Sequence, residues 1–262
     1  MIKISLVFRK DETNLRVWDL HPGYLSRQNL LGQHAEIHAL YNVISGRKKG
    51  YANHPETLRW NGNLEQLKRI HELTVFEMKL REFNHKSPCG VNQACAFSPD
   101  PGKETGYVDL PARQIKILEQ KYKDNEQSGR IPLPKNTYEF WAHHKYSVMA
   151  RGYQFYKQIQ GQIKGKRESP LTEADPVIEQ ILIIMKEPVS KPALQNVLDH
   201  LWGYFKDGAL PEEKEIYLSQ KKISHQYLLG FFYKLALKYN RVYLLHSTIF
   251  ADFTGQIFVT TD

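Results

Sequence analysis

Apolar residues recur at three- and four-residue spacing along much of this chain, which is the pattern of amphipathic α-helices. The first stripe runs over residues 25–44, with Ser26 placed to cap its N-terminus. The second runs over residues 64–83, and its basic side chains lie mostly off the apolar face. The pattern predicts an all-α protein, with further helices over residues 111–123, 138–162, 175–185, 192–206, 211–219 and 225–239.

Segments with other patterns connect these helices. Residues 15–20 predict an extended stretch, followed by a turn at His21-Pro22-Gly23. Residues 52–63 predict a loop. Residues 242–250 are compatible with a short strand or with an extended tail.

The segment 129–134, GRIPLP, is the best candidate for a domain boundary because its prolines and glycine cannot continue a helix. Residues 1–14 differ in composition from the rest of the chain and predict a tail or an edge strand. The chain is therefore predicted to contain an extension over 1–14 and two helical domains, over 15–135 and 136–262.

Composition adds few constraints. The formal net charge is +8 over 262 residues, which suits a polyanionic partner such as double-stranded DNA but equally suits solvated lysines. Two cysteines make no disulfide framework and favour a reducing cytoplasm. The chain has no apolar run long enough for a membrane span and no signal-peptide pattern, so we expect no membrane association.

A basic, glycine-containing and aromatic cluster comes after the first helix. It consists of Arg47, Lys48, Lys49, Gly50 and Tyr51, and the loop beyond it carries Arg59-Trp60. Such a cluster can contact phosphates and stack on a base. It can equally be a solvated turn whose aromatic rings fold onto the core.

Two groups of residues are candidate metal ligands. His34 and His38 are four residues apart on a predicted helix, but no clear third ligand accompanies them. Cys89 and Cys95, with His85 nearby, fit no common zinc spacing. No metal is therefore predicted from the sequence.

Three blocks of sequence resemble the pyrimidine-dimer DNA glycosylases, the family of the phage enzyme called endonuclease V. They are LRVWDLHPGYL, LLGQHAEIHAL and LEQLKRIHELTVFEMKLREFNHKS, and weaker similarity continues to about residue 135. The second half resembles a bacterial domain of unknown function, through HKYSVMARGYQFYKQI and NVLDHLWGYFKDGALPEEKEIYL.

The first resemblance implies a helical repair enzyme that acts through the α-amine of its N-terminus, without a metal or another cofactor. The amine attacks C1′ of the damaged nucleotide, the base leaves, and a Schiff base forms before β-elimination. The family's catalytic glutamate falls on Glu36. Its nucleophile directly precedes an arginine, which falls on Arg16, so the amine belongs at Leu15.

Here the chain departs from the family, because Leu15 lies inside a chain that begins at Met1. An amide nitrogen is not a nucleophile. We hypothesise that translation starts at codon 15, where a leucine codon can be read as methionine, and that residues 1–14 are an untranslated extension. If the extension is present, the protein is expected to bind DNA without lyase activity or to require processing.

Other residues acquire expected roles from the same resemblance. Arg16 would contact phosphate, and His21, His34 and His38 would orient the site, with structural histidines as the alternative. Lys121 and Lys123 lie near later basic contacts of the family. Two arginines of the family fall on Ala35 and near Ala39, so recognition of the pyrimidine dimer is expected to be weakened. Contacts to the DNA backbone are expected instead from Arg47, Lys48 and Lys49.

Three functions are compatible with the sequence, in order of preference. The first is a DNA glycosylase and abasic-site lyase, whose lesion is a pyrimidine dimer or another damaged base. The second is a DNA-binding protein that kept the scaffold without catalysis. The third is a small-molecule or partner-binding protein dominated by residues 136–262. The sequence leaves the oligomeric state open.

Overall fold

The computed structural model describes residues 15–48, 50–87, 106–167 and 169–252. Within these ranges the chain forms helices and no β-sheet, which confirms the all-α prediction. Eleven α-helices occur there: α1 Arg27–Ile44, α2 Pro55–Trp60, α3 Leu64–Leu80, α4 Pro111–Asn125, α5 Thr137–Arg151, α6 Tyr153–Ile163, α7 Pro176–Ile184, α8 Lys191–Trp202, α9 Pro211–Gln220, α10 His225–Lys238 and α11 Val242–Leu245.

The predictions made for residues 1–14, Lys49, Cys89 and Cys95 lie outside the described residues.

The first helix begins where the sequence predicts. The side chain of Ser26 accepts the backbone N–H of Asn29 at 3.2 Å, which satisfies one of the free donors at the start of α1. α1 packs against α3, and the two helices share a small core with α2 and the residues before α1. That core contains Val17, Ile37, Leu40, Trp60 and Leu67, all buried.

Two predictions of where helices lie were wrong, one in each half of the chain. The loop predicted over 52–63 contains α2, because the His54 side chain accepts the N–H of Glu56 and Pro55 occupies the first helical position. The helix predicted over 138–162 is two helices, because Gly152 takes an extended conformation between α5 and α6.

The strand or extended tail predicted over 242–250 is also wrong. The segment forms α11 and then a single 3-10 turn at Thr248–Phe250. Its last residues are buried against α5, where the hydroxyl of Thr248 lies 2.7 Å from that of Ser147 and donates to the carbonyl of His143 at 3.1 Å. Burial against a helix, which the local pattern does not reveal, decides this conformation.

The largest hydrophobic core spans the predicted domain boundary. It includes Trp18 and Tyr24 before the boundary and Phe140 and Ile181 after it, with the rings of Tyr24 and Phe140 stacked 6.1 Å apart. Ile131, within the predicted boundary segment, is buried and donates its N–H to the carbonyl of Gly23 at 2.9 Å. The division into two domains stays a prediction.

A buried carboxylate ties the two halves together. Glu77 on α3 is fully buried and accepts from Arg81 at 2.8 Å and from Arg130 at 2.8 Å. Arg81 also donates to the carbonyl of Leu25, and Arg130 donates to the carbonyl of Leu245 near the C-terminal end of the described chain. The pair of guanidinium groups therefore joins α3, the turn before α1, and α11.

Replacing this carboxylate is expected to destabilise the whole fold. Glu77→Gln leaves two half-buried guanidinium groups without a counter-charge, which costs up to about 3–5 kcal/mol in the free energy of unfolding. Burial alone would raise the Glu77 pKa, but Arg130 and Arg81 lower it from 4.5 to about 2. A carboxyl whose pKa is lower in the folded than in the unfolded state stabilises the fold at pH values above the unfolded-state pKa. This stabilisation is lost as the pH falls from 4.5 towards 2.

Urea denaturation followed by circular dichroism checks both statements. The difference in the free energy of unfolding between wild type and Glu77→Gln should be largest near neutral pH and should become smaller in acid. Glu65→Gln is the matched control, because this exposed carboxylate on the same helix should change stability by less than about 1 kcal/mol. Equal unfolding midpoints for wild type and Glu77→Gln at neutral pH would contradict the assignment.

Among the described helices, none is both long and apolar enough to cross a lipid bilayer.

Candidate active site

The leading segment, residues 15–20, is held by side chains and not by a second strand. The backbone N–H of Arg16 donates to Oε2 of Glu36 at 2.9 Å, and that of Trp18 donates to Oε1 of Gln33 at 2.9 Å. Both acceptors lie on α1, about one helical turn apart. α1 therefore fixes the leading segment along its side.

Two further polar groups of the leading segment find hydrogen-bond partners on other helices. The carbonyl of Val17 accepts from the Arg59 guanidinium of α2 at 3.5 Å. The N–H of Asp19 donates to Oε1 of Gln114 on α4 at 3.0 Å. A buried backbone polar group without a partner is costly, so side chains from three helices together determine where residues 16–19 lie.

Sequence reasoning missed the two glutamines that hold this segment. Gln33 is 1% exposed and Gln114 is 2% exposed. Gln33 falls on the apolar stripe of α1, between the buried Leu30 and Ile37. A polar residue on an otherwise apolar helix face is the signal that could have identified it, because a buried amide requires hydrogen-bond partners.

Glu36 lies next to the start of the leading segment. The nitrogen of residue 15 is three covalent bonds from the Arg16 nitrogen, so it lies within about 7 Å of the Glu36 carboxylate. Burial raises the pKa of Glu36 from 4.5 to about 7, against the Arg16 N–H and the charge of Lys121, which lower it. Near neutral pH this half-buried carboxyl can both give and take a proton.

Two predicted DNA contacts, Arg16 and Lys121, lie close to Glu36, and both pack on the ring of Trp18. The Arg16 guanidinium lies 4.9 Å from the centre of the Trp18 ring and pairs with Asp109. The exposed Lys121 ammonium lies 5.7 Å from the same ring. The structure thus gathers two cations beside the carboxylate, although Asp109 already neutralises one of them.

The other predicted DNA contact on α4 lies apart from this group. Lys123 is exposed and pairs with Glu119, one turn earlier on the same helix, at 3.4 Å.

Two sequence-based DNA contacts are corrected by their burial. The side chain of Arg59 is 4% exposed and pairs with Asp19 and with Glu56. His21 is buried, and its Nδ1 accepts the N–H of Gly23 at 3.0 Å, while burial lowers its pKa from 6.5 to about 3. Neither side chain reaches the surface, so both hold the leading segment and its turn.

The basic cluster after α1 is exposed, as a phosphate contact requires. Arg47 and Lys48 are exposed, and the Arg47 guanidinium lies 5.7 Å from the Tyr41 ring. Tyr51 is 64% exposed and adopts φ +50°, so its ring is not folded onto the core. The Trp60 ring, in contrast, is 1% exposed and packed in the core, so the accessible interpretation holds for Tyr51 and the packed interpretation holds for Trp60.

His34 and His38 do not line the Glu36 site. They form a cluster with His71 and His85, in which the candidate ligand nitrogens all lie within 4.8 Å of one another. Burial, followed by repulsion from the neighbouring histidines, lowers the pKa of His34 to about 4 and that of His71 to about 3. His71 and His85 therefore join the histidine pair, a grouping that the sequence did not predict.

A cleft of about 840 Å³, including its open mouth, runs beside the leading segment. Its walls combine aromatic rings with basic side chains, and it is lined from both halves of the chain. The aromatic and basic lining residues include Trp18, Trp60, Tyr107, Arg69 and Lys186.

Comparison with protein families identifies the part of the chain that carries this geometry. Residues 15–90 match the family model of pyrimidine dimer DNA glycosylases. This match confirms the resemblance of the first half and supports a glycosylase-like role for it. The match begins at Leu15 and includes Glu36 and all four clustered histidines, whereas the predicted first domain continues to residue 135.

The second half is similar to a different family. Residues 145–254 match a family described as protein of unknown function, DUF1722, which confirms the fused arrangement. Neither the comparison with curated proteins nor the comparison with solved structures found a significant match.

Proposed function

We propose that this protein is a DNA glycosylase and abasic-site lyase whose active form presents a free α-amine at position 15. The observation that carries the proposal is the 2.9 Å hydrogen bond from the Arg16 backbone to Glu36. It brings position 15 and the glutamate to one place, although they are far apart in sequence. The family match supports the same pairing, because it begins at residue 15.

An amine at this position has suitable basicity. An α-amine has a pKa of about 7.7–8.0, so a useful fraction is unprotonated at neutral pH, unlike a lysine side chain near 10.4. Hydrogen-bonding side chains on α1, α2 and α4 fix the residues that come after it, so the amine is held without being buried. Such preorganisation removes much of the entropic barrier to attack.

The reaction proceeds through one covalent intermediate. The amine lone pair forms a bond to C1′ of the nucleotide, and the bond from C1′ to the base breaks, with the base leaving with that electron pair and taking up a proton. Loss of the amine protons and opening of the sugar ring give an imine at C1′. Removal of a C2′ proton then expels the 3′ phosphate by β-elimination.

Glu36 is the group placed to handle these protons and charges. Its carboxylate stabilises positive charge that develops on the sugar, and a carboxyl with a pKa of about 7 can return a proton to the ring oxygen or the leaving base. Arg16 and Lys121 beside it suit the phosphates that flank the lesion.

Access to C1′ requires an opened duplex, which costs a few kcal/mol. The exposed basic cluster after α1 can contribute phosphate contacts that offset this cost. The cleft beside the leading segment includes the half-buried ring of Tyr107, on which an extruded base can stack. Double-stranded DNA is therefore the proposed partner.

Borohydride trapping tests the proposed chemistry. A chain that begins at position 15 is incubated with a duplex containing one abasic site, and the imine is reduced to a stable adduct. We expect the adduct to map to the N-terminal peptide after digestion, and a strand break to form without borohydride. A parallel duplex with a pyrimidine dimer tests the lesion, since only a dimer glycosylase generates the abasic site itself.

The same experiment distinguishes the proposed lyase from the alternative, a non-catalytic DNA-binding protein. That alternative gains support from the chain as it stands, in which the nitrogen of residue 15 is an amide. It predicts salt-dependent binding with no adduct from any start position. An adduct on a lysine side chain would instead contradict the α-amine mechanism while leaving a lyase in place.

A further inference from the structure

Four histidines from distant parts of the chain converge on one point in the N-terminal half. His34 and His38 lie one turn apart on α1, His71 lies on α3, and His85 comes after the end of α3. All four present Nε2 to a common centre: Nε2 of His34 lies 3.2 Å from that of His38, 3.2 Å from that of His71 and 3.0 Å from that of His85.

These separations are those of ligands around a single ion. Zinc binds imidazole nitrogen at about 2.0–2.1 Å, and a tetrahedral arrangement at that distance places neighbouring nitrogens about 3.3–3.4 Å apart. The fourth short separation, from His38 to His71, is 3.1 Å. The widest separation in the group is 4.8 Å and involves His85, so a small cation closes the set if the His85 ring, in the segment after α3, moves inward by roughly an ångström.

Hydrogen bonding among the rings does not account for the arrangement. A ring nitrogen either carries one proton and donates, or presents one lone pair and accepts. The Nε2 atoms of His34, His38 and His71 are each within 3.2 Å of the other two. Each of these three nitrogens is either a donor or an acceptor, so at least two of them must be of the same kind. At least one of the three contacts therefore joins two donors or two lone pairs and is not a hydrogen bond.

We propose that His34, His38, His71 and His85 bind one divalent transition-metal ion, with zinc as the best match. Imidazole nitrogens suit zinc, copper, iron and nickel, and a four-coordinate tetrahedral set with no open position is typical of structural zinc. A shared cation satisfies all four lone pairs at once. No carboxylate belongs to the group, so the site keeps the charge of the ion.

The surroundings of the cluster point to a structural ion and not to a catalytic one. Each α-helical residue advances about 100°, so Glu36 lies about 160° around α1 from both His34 and His38. The ion would clamp α1 to α3 and to the segment after α3, with Glu36 on the opposite side of the helix. The His38 ring donates a hydrogen bond to the backbone of Ser87, as metal-ligating histidines commonly do to an outer partner. The site does not rest on the proposed repair activity.

Metal analysis of the full chain, produced without an affinity tag, tests the site. After treatment with a chelator, the protein is titrated with zinc sulfate and with cobalt chloride. We expect about one zinc per chain by mass spectrometry and the intense visible absorption of tetrahedral cobalt. Zinc at about a hundred times its Kd should raise Tm by about 5 °C or more.

Variants of one ligand make the test specific. His85 is half-buried and lies beyond the end of α3, so His85→Ala should fold and should weaken zinc affinity by about a hundredfold or more. His85→Cys supplies a thiolate instead, and should retain cobalt with an added sulfur-to-cobalt charge-transfer band. His200→Ala, at an exposed histidine on α8, should bind zinc as the wild type does.

Several results would overturn the assignment. They are a tag-free protein that binds no zinc, an octahedral cobalt spectrum, and wild-type affinity in His85→Ala. A thiolate band in the wild type would also do so, because Cys89 or Cys95 would then replace a histidine. If His85→Ala fails to fold by circular dichroism, His85→Cys decides: a new thiolate band supports the site and its absence overturns it.

Discussion

A chain that begins at position 15 is expected to form the trapped adduct at least about a thousandfold faster than the chain that begins at Met1. In the longer chain the nitrogen of residue 15 is an amide, whose lone pair is delocalised into the carbonyl. In the shorter chain it is an amine beside Glu36. The measurement is the single-turnover rate of adduct formation on abasic-site duplex.

A chain that begins one residue earlier, at Asn14, is the matched control. It has a free α-amine of similar basicity, but that amine is displaced by up to about 3.5 Å from the proposed position. Its rate should fall well below that of the chain starting at position 15. Equal rates for the three starts would mean that another nucleophile acts, and trapping by the Met1 chain without loss of residues 1–14 would exclude position 15.

Glu36→Gln is expected to lower the single-turnover rate by about 10²–10⁴-fold, which is the usual contribution of a positioned acid or base. The amide keeps the hydrogen bond from the Arg16 backbone, so the leading segment should stay in place. Affinity for abasic-site duplex should not fall, because the change removes a negative charge near the phosphates. A large loss of rate with unchanged binding therefore assigns Glu36 to the chemical step.

The pH dependence supplies an independent readout of the same residue. Burial raises the Glu36 pKa to about 7, so its carboxylate form grows as the pH rises through 7. The amine also becomes reactive with rising pH, so the wild-type rate should rise from about pH 6 to about pH 8. In Glu36→Gln the pH dependence of the rate should reflect only the deprotonation of the amine.

Glu119→Gln, at an exposed carboxylate of α4, should leave both the rate and the profile unchanged. A Glu36→Gln variant with wild-type rate would remove the glutamate from the mechanism.

Much of the fold could be predicted from local pattern. The bounds of α1 and its Ser26 cap are explained by apolar periodicity and by the chemistry of the first helical turn. The break at Gly152 was missed because a single glycine destabilises a helix by only about 1 kcal/mol, so tertiary packing decides whether the helix continues. The helical end of the chain was missed for a related reason, since burial against α5 sets its conformation.

The candidate site divides in the same way. Leu15, Arg16 and Glu36 could be paired from the family resemblance, and the geometry brings them together. The buried ion pairs of Arg59 could not be predicted, because a basic residue in a loop next to a tryptophan looks the same whether it faces solvent or the interior.

The sequence by itself determined that this chain is helical, that its first half resembles a glycosylase family, and that the second half resembles a different family. Those properties rest on residues close together in the chain or on contiguous blocks of sequence. Only the tertiary structure decided that His71 and His85 join His34 and His38, and that Gln33 and Gln114 hold the leading segment. These groupings arise because α1 packs on α3 and α4 meets the leading segment, contacts that no local periodicity encodes.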